Sequence, residues 1–251
     1  MATTCPSSSG TRGMSARWST AAATSSSVRG QPPPASLPSR RYSTFHAAQP
    51  RPARSSHSAR VWWRPCWAAW NVEYRRLGRL AGGGWPRTLE DVAAAVDHLA
   101  DIPGGPLERG HVVAIGHSAG GHLAAWLATR PVARVPVTRV VAQAGVVDLR
   151  LASELRLSDR VVHRFLGGTP EEVPERYAAA SPAERLPLGV PVLLVHGEDD
   201  ETVPPLMSER FAAAAGAAGD RVELELVAGE GHMGHLDPAN PLWAPVAAWL
   251  G

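Results

Sequence analysis

The chain contains no lysine; all 25 of its basic residues are arginine. Its two cysteines, Cys5 and Cys66, are too few for a disulfide framework or a zinc cluster. No run of eighteen apolar residues occurs in its 251 positions, so no segment reads as a membrane-spanning helix. The opening residues lack an apolar stretch followed by a cleavage site, which argues against a secretory signal and makes the cytoplasm the expected location. Acidic residues are absent from residues 1–72, which carry nine Arg. Sixteen Arg stand against 23 acids in residues 73–251. The formal net charge of +2 is therefore the sum of a +9 segment and a −7 segment.

Aliphatic residues are nearly absent from the same N-terminal stretch. Of residues 1–60, 45 are Ser, Thr, Pro, Arg or Ala, and only Val28, Leu37 and Phe45 come from the group Val, Leu, Ile and Phe. Such a segment buries too little apolar surface to offset the entropy of ordering it, so residues 1–66 are expected to form a disordered basic tail. A transit peptide shares the Arg-rich, Ser-rich, acid-poor composition but calls for amphipathic spacing that is not seen here. The Arg residues are dispersed, with only Arg40 and Arg41 adjacent, so no nucleic-acid partner is expected.

From about residue 67 the pattern changes. Ala68-Ala69-Trp70-Asn71-Val72-Glu73-Tyr74 reads as a short strand, followed by the loop Gly82-Gly83-Gly84-Trp85-Pro86. Thr88 reads as the N-cap of a helix whose apolar face is Val92, Val96 and Leu99. Further strands are expected over 111–116, 138–147, 190–196 and 221–227, and helices over 121–130 and 206–218. Asn240-Pro241 starts a last helix carrying Leu242, Val246, Trp249 and Leu250. Strands separated by helices predict an α/β fold: a mainly parallel sheet with helices on both faces. Residues 149–188 break this rhythm. The stretch is charged, interrupted by Pro170, Pro174, Pro182 and Pro187, and reads as a lid-like insertion.

Gly116-His117-Ser118-Ala119-Gly120 matches Gly-x-Ser-x-Gly between an apolar strand and a helix, the setting in which that motif carries meaning. A tight strand-to-helix turn pushes the Ser out of the sheet, and the helix N-terminus favours developing negative charge. A Ser hydroxyl is a poor nucleophile near neutral pH and needs a base, which in turn needs an orienting acid. Asp200 follows the strand 190–196 and His232 follows the strand 221–227, so Ser118, Asp200 and His232 fall at the carboxyl ends of three strands. Asp199 and Asp148 remain alternatives for the acid, and His235 for the base. His117, His196 and His122 read as structural histidines, and Asp97 and His98 as solvated helix surface.

Gly-His-Ser-Ala-Gly-Gly, the run Val195-His196-Gly197 through Asp200 to Val203-Pro204, and Gly231-His232 resemble the α/β-hydrolase superfamily. Asn71-Val72-Glu73-Tyr74-Arg75-Arg76 with Gly83-Gly84-Trp85-Pro86 is similar to its esterase and kynurenine-formamidase-like branch. The resemblance covers residues 67–251. It implies Ser118 as nucleophile, His232 as base and then acid, and Asp200 as the orienting carboxylate. It also implies an acyl-enzyme resolved by water, with no cofactor or metal. The expected substrate is a small carboxylic ester, or alternatively an aryl-formamide, with Trp85 and Gly84 at the pocket. No oligomeric state is implied.

The resemblance has a gap. The backbone N–H of Ala119 supplies one oxyanion donor, but the second comes in such enzymes from a His-Gly-Gly loop after an earlier strand, and no His-Gly-Gly occurs here. The N-terminal strands are thus expected to be missing or replaced, with residues 1–66 a frame-shifted or wrongly started translation. Reading the DNA in its other two frames tests this, the expected result being a strand followed by His-Gly-Gly. The competing expectation is a catalytically impaired remnant, since losing one oxyanion donor costs about 10²–10³ in rate.

Overall fold

The computed structural model describes residues 42–44, 69–78, 81–102 and 111–251. The expectation of a disordered or frame-shifted N-terminal segment falls almost wholly outside these residues. The exception is a short strand, β1 (Tyr42–Thr44), which pairs antiparallel with β2 (Glu73–Arg75), Ser43 opposite Tyr74. No strand in residues 1–60 was legible from composition. Three residues leave no periodicity to read, and the pairing depends on a partner some thirty positions away.

Four strands form the main sheet in the order β3 (Val113–His117), β4 (Arg139–Gln143), β5 (Val192–Gly197), β6 (Val222–Val227), all parallel. Residue alternation assigns the two faces. Val140, Ala142, Val192 and Leu194 pack into a large core with Leu89, Val92, Leu123, Leu127 and Phe211. Val141, Leu193 and Val195 pack on the opposite face with Leu242, Trp243 and Val246. The first face is thus covered by α1 (Arg87–Asp97), α2 (Ala119–Ala128) and α6 (Leu206–Ala217), the second by α7 (Trp243–Leu250). β5 is buried along its whole length, as a strand between two covered faces must be, and its sequence is accordingly almost unbroken in hydrophobicity. The edge strand β6 instead presents exposed Glu223 and Glu225, charges that discourage pairing with another chain.

Two local expectations are corrected. Thr88 is not the N-cap of α1: the helix begins at Arg87 behind Pro86, which places Thr88 inside the first turn. Its hydroxyl accepts from Gly84 N–H (2.9 Å) and donates to the Arg75 carbonyl (2.8 Å), tying α1 to the glycine loop and to β2. Arg75 completes the attachment through its backbone N–H, Nε and Nη2, all donated to Asp91. Asp97, in turn, is not merely solvated. It pairs with Arg130 of the α2 end (3.0 Å) and accepts from Val135 N–H, so α1 and the loop after α2 are fastened together.

Residues 149–188 form α3 (Leu149–Glu154), α4 (Leu157–Leu166), α5 (Pro174–Ala180) and a 3₁₀ turn, Pro182–Arg185. They are bolted to the scaffold at several points. His122 and Trp126 of α2 donate to the carbonyls of Ala180 and Ala179, Arg185 donates to Thr129, and Ala183 N–H donates to the Val147 carbonyl. Tyr177, Leu166 and Ala180 are fully buried in the main core. No helix among the described residues is long and apolar enough to cross a membrane.

Candidate active site

Ser118 stands between β3 and α2 at φ 55°, ψ −117°, a conformation that a non-glycine residue adopts only under strain. A serine at an N-cap ordinarily folds its hydroxyl onto the helix. Here that bond is not made, so the Oγ is left for other work. The backbone is held by Ser118 N–H on the Gln143 carbonyl (2.8 Å) and by His122 N–H on the Ser118 carbonyl (3.2 Å). Glycine makes the turn sterically possible. A Cβ on Gly116 would stand 2.1 Å from the Gly120 carbonyl oxygen, and one on Gly121 2.7 Å from the Gly145 Cα. Ala119 is the first residue of α2 and is exposed, so its N–H is among the donors a helix start leaves without an internal partner.

Asp200 and His232 meet because two loops approach closely. Gly197 ends β5 against the loop after β6, where a Cβ would lie 2.1 Å from the Glu230 carbonyl oxygen. Glu198 N–H donates to Val227 and Asp199 N–H to Glu230, zipping the loops together. His232 Nδ1 then stands 2.6 Å from Asp200 Oδ2. The other oxygen, Oδ1, accepts from the N–H groups of Thr202 and Val203, both at 2.9 Å. Burial alone would raise the Asp200 carboxyl, but the Val203 N–H, the His232 ring and the Thr202 N–H outweigh it. Together they hold it below the usual carboxylate range. An ionised Asp200 accepts only, so Nδ1 of His232 carries the proton and Nε2 carries the lone pair.

The link to Ser118 runs through its neighbour. His117 Nε2 lies 2.8 Å from the His232 carbonyl, and the two rings are 4.5 Å apart. The carbonyl can only accept, so His117 donates from Nε2. The Ser118 hydroxyl and the His232 ring are not hydrogen-bonded to one another among the described residues, a bond that often tightens only when substrate is present.

The alternatives raised by the sequence are explained differently. Asp199 is exposed and makes its contact through the backbone. Asp148 caps α3, accepting from Arg150 and Leu151 N–H. His235 is buried in the same 3₁₀ turn as His232, with no partner for either ring nitrogen. Burial first, then the neighbouring histidines, push it down to about 3. His122, buried in α2, is pushed by burial down to about 4 while donating to Ala180. Gly84 and Trp85 are joined to Thr88 and to the Phe165 carbonyl of α4, with Trp85 half-buried on the main core. The links from His117 to His232 and from His196 to Asp200 were not legible in the sequence. The spacing of His196 and Asp200 across a strand end is the one signal that hinted at the second.

Residues 73–250 match the prolyl oligopeptidase family. Over 116 residues the chain is 34% identical to "Uncharacterized peptidase YtmA" of Bacillus subtilis, covering 45% of this chain and 44% of that protein. Over 170 residues it is 30% identical to "Esterase LipQ" of Mycobacterium tuberculosis, covering 61% and 39%. The chain thus spans less than half the length of either relative. Among solved structures, a thermophilic esterase of Thermogutta terrifontis superposes with a TM-score of 0.52 at 25% identity, covering 72% of this chain and 67% of that one.

Proposed function

The chain belongs to the prolyl oligopeptidase family, an α/β-hydrolase family, and from that premise we propose that it is a serine hydrolase of small carboxylic esters. The observation that carries the reading is the pairing of Asp200 with His232 at 2.6 Å beside the strained Ser118 turn. Ser118 Oγ attacks the ester carbonyl while His232 Nε2 takes its proton. Asp200 holds the ring in the Nδ1–H tautomer and stabilises the imidazolium that forms. The oxyanion of the tetrahedral intermediate is met by the Ala119 N–H at the start of α2. His232 then protonates the leaving alcohol, the acyl group stays on Ser118, and water activated by the same imidazole releases the acid. Gly84 and Trp85, fixed to α1 and α4, are assigned to the wall of the substrate pocket. The choice of ester is supported by the names of two relatives, each called an esterase.

Hydrolysis of p-nitrophenyl acetate by the purified chain, run beside Ser118→Ala, tests this. The variant is expected to lose activity by about a thousandfold or more. Equal rates for the two proteins would reject the serine mechanism. They would favour instead the impaired-remnant reading, for which the observation is that the sequence contains no His-Gly-Gly. A peptide p-nitroanilide run in parallel separates ester from peptide preference, the ester being expected to turn over faster.

A further inference from the structure

Behind Asp200 lies a buried polar chain that the reaction as written does not use. His196, the fifth residue of β5, and Ser208, on α6, are both fully buried. His196 Nδ1 stands 2.7 Å from Ser208 Oγ. His196 Nε2 stands 2.8 Å from the Val203 carbonyl and 3.3 Å from Asp200 Oδ2, the same oxygen that binds His232. A carbonyl and a carboxylate can only accept, so the proton resides on Nε2, where it is donated to the Val203 carbonyl and faces Asp200 Oδ2 at the longer distance. Nδ1 then carries the lone pair and accepts from the Ser208 hydroxyl. Burial pushes the His196 ring below the ordinary histidine range, more strongly than the Val203 and Asp200 acceptors push it up, so the ring is neutral.

We propose that His196, set in its tautomer by Ser208, is a positioning residue that holds the Asp200 carboxylate in the orientation from which it binds His232. The inference rests on the reading of Asp200 and His232 as orienting acid and base. Three donors otherwise define that carboxylate: Thr202 and Val203 N–H on Oδ1, and His232 Nδ1 on Oδ2. The first two fix one oxygen only. Without His196, His232 alone faces Oδ2, and the setting of the carboxylate on that side rests on the very base it is meant to orient. The stretch from residue 196 to 203 is stapled by the same ring, because its Nε2 proton also reaches the Val203 carbonyl and closes the turn that carries Asp200.

The test is the pH profile of ester hydrolysis. The ionisable groups around the site are Asp200, His232, His117 and His235, and His196 itself is neutral. Replacing it with leucine therefore changes no charge; it removes one donor from Asp200. The less-satisfied carboxylate binds the His232 imidazolium more tightly. In His196→Leu the acid limb of kcat/KM accordingly moves to higher pH by about half a unit. kcat falls about tenfold while KM stays within about twofold. His196→Gln, whose amide can donate from the Nε2 position, restores the limb. An acid limb that stays at the wild-type position in His196→Leu overturns the proposal.

Should His196→Leu fail to fold, the wild-type chain labelled with ¹⁵N-histidine decides. His196 is expected as a neutral Nε2–H imidazole at neutral pH, and an Nδ1–H tautomer or an imidazolium there overturns the proposal. Failure of the underlying reading looks different: Ser118→Ala is then as active as wild type. Failure of the inference alone leaves Ser118→Ala inactive and the acid limb of His196→Leu unmoved.

Discussion

A handful of single atoms, or their absence, decide whether this site exists. Ser118 can hold φ 55° only because the residues packed around it lack side chains, and Gly116 is the tightest case. A methyl group there would meet the backbone carbonyl of Gly120, part of α2 itself, which cannot swing aside as a flexible side chain could. Gly116→Ala is therefore expected to destabilise the chain by about 1–3 kcal/mol and to remove the proposed esterase activity even in the molecules that remain folded. Urea unfolding and p-nitrophenyl acetate turnover measure the two effects. A Gly116→Ala protein of wild-type stability and rate would contradict the close packing described. The motif was legible because it requires these residue types at adjacent positions. The His117 bond to the His232 carbonyl was not, because its partners lie 115 positions apart.

Between elements, polar side chains rather than core contacts decide how the glycine loop meets the rest. β2 is only three residues long and cannot hold its place by ladder bonds alone. Arg75 and Asp91 supply the attachment with three charge-assisted hydrogen bonds, and the Arg75 guanidinium holds the Asp91 carboxyl below its ordinary range. Both side chains are largely screened from water, 25% and 22% exposed, so the pair counts for more than a surface ion pair. Asp91→Ala is expected to cost about 1–3 kcal/mol, because it removes three charge-assisted hydrogen bonds from Arg75, one of them made by its backbone N–H. Amide exchange in residues 73–84 should accelerate more than in β5; uniform acceleration, or none, would argue against a local attachment. The helix pattern of residues 88–99 was readable from Val92 and Val96. The start was misplaced by two residues because Pro86 opens the helix and leaves Thr88 to bond backward.

Across the whole molecule, buried histidines set how stability depends on pH. His122 is held neutral in the fold, its ring pushed down to about 4, and His235 down to about 3. Both take up a proton near 6.5 when unfolded. Their folded values are depressed, so the stability they permit is complete above about 6.5 and is lost as pH falls toward 4, the unfolded chain binding more protons in that window. For His122 alone the loss is about 3 kcal/mol by pH 4. Asp200, whose carboxyl is also depressed, adds its loss only below the carboxylate range. Urea midpoints measured between about pH 7 and 4.5 should therefore fall with acid, and less steeply in His122→Gln, which keeps a donor toward Ala180. A flat profile would rule out neutral burial of these rings.

The sequence by itself determined the α/β class and the order of its elements. Apolar periodicity and chain punctuation are local properties, read within a window of a dozen residues. It also placed the candidate residues at one edge of the sheet, since Ser118, Asp200 and His232 each follow a strand. Tertiary structure alone decided which acid meets which histidine. Asp148, Asp199 and Asp200 are chemically alike, as are His232 and His235. Only the close approach of the loops after β5 and β6, across Gly197 and Glu230, brings one pair to 2.6 Å. The Ser208–His196 support behind that pair depends likewise on α6 packing over β5. No pattern along the chain records that contact, because the hydroxyl and the ring acquire their partners only when water is excluded from both.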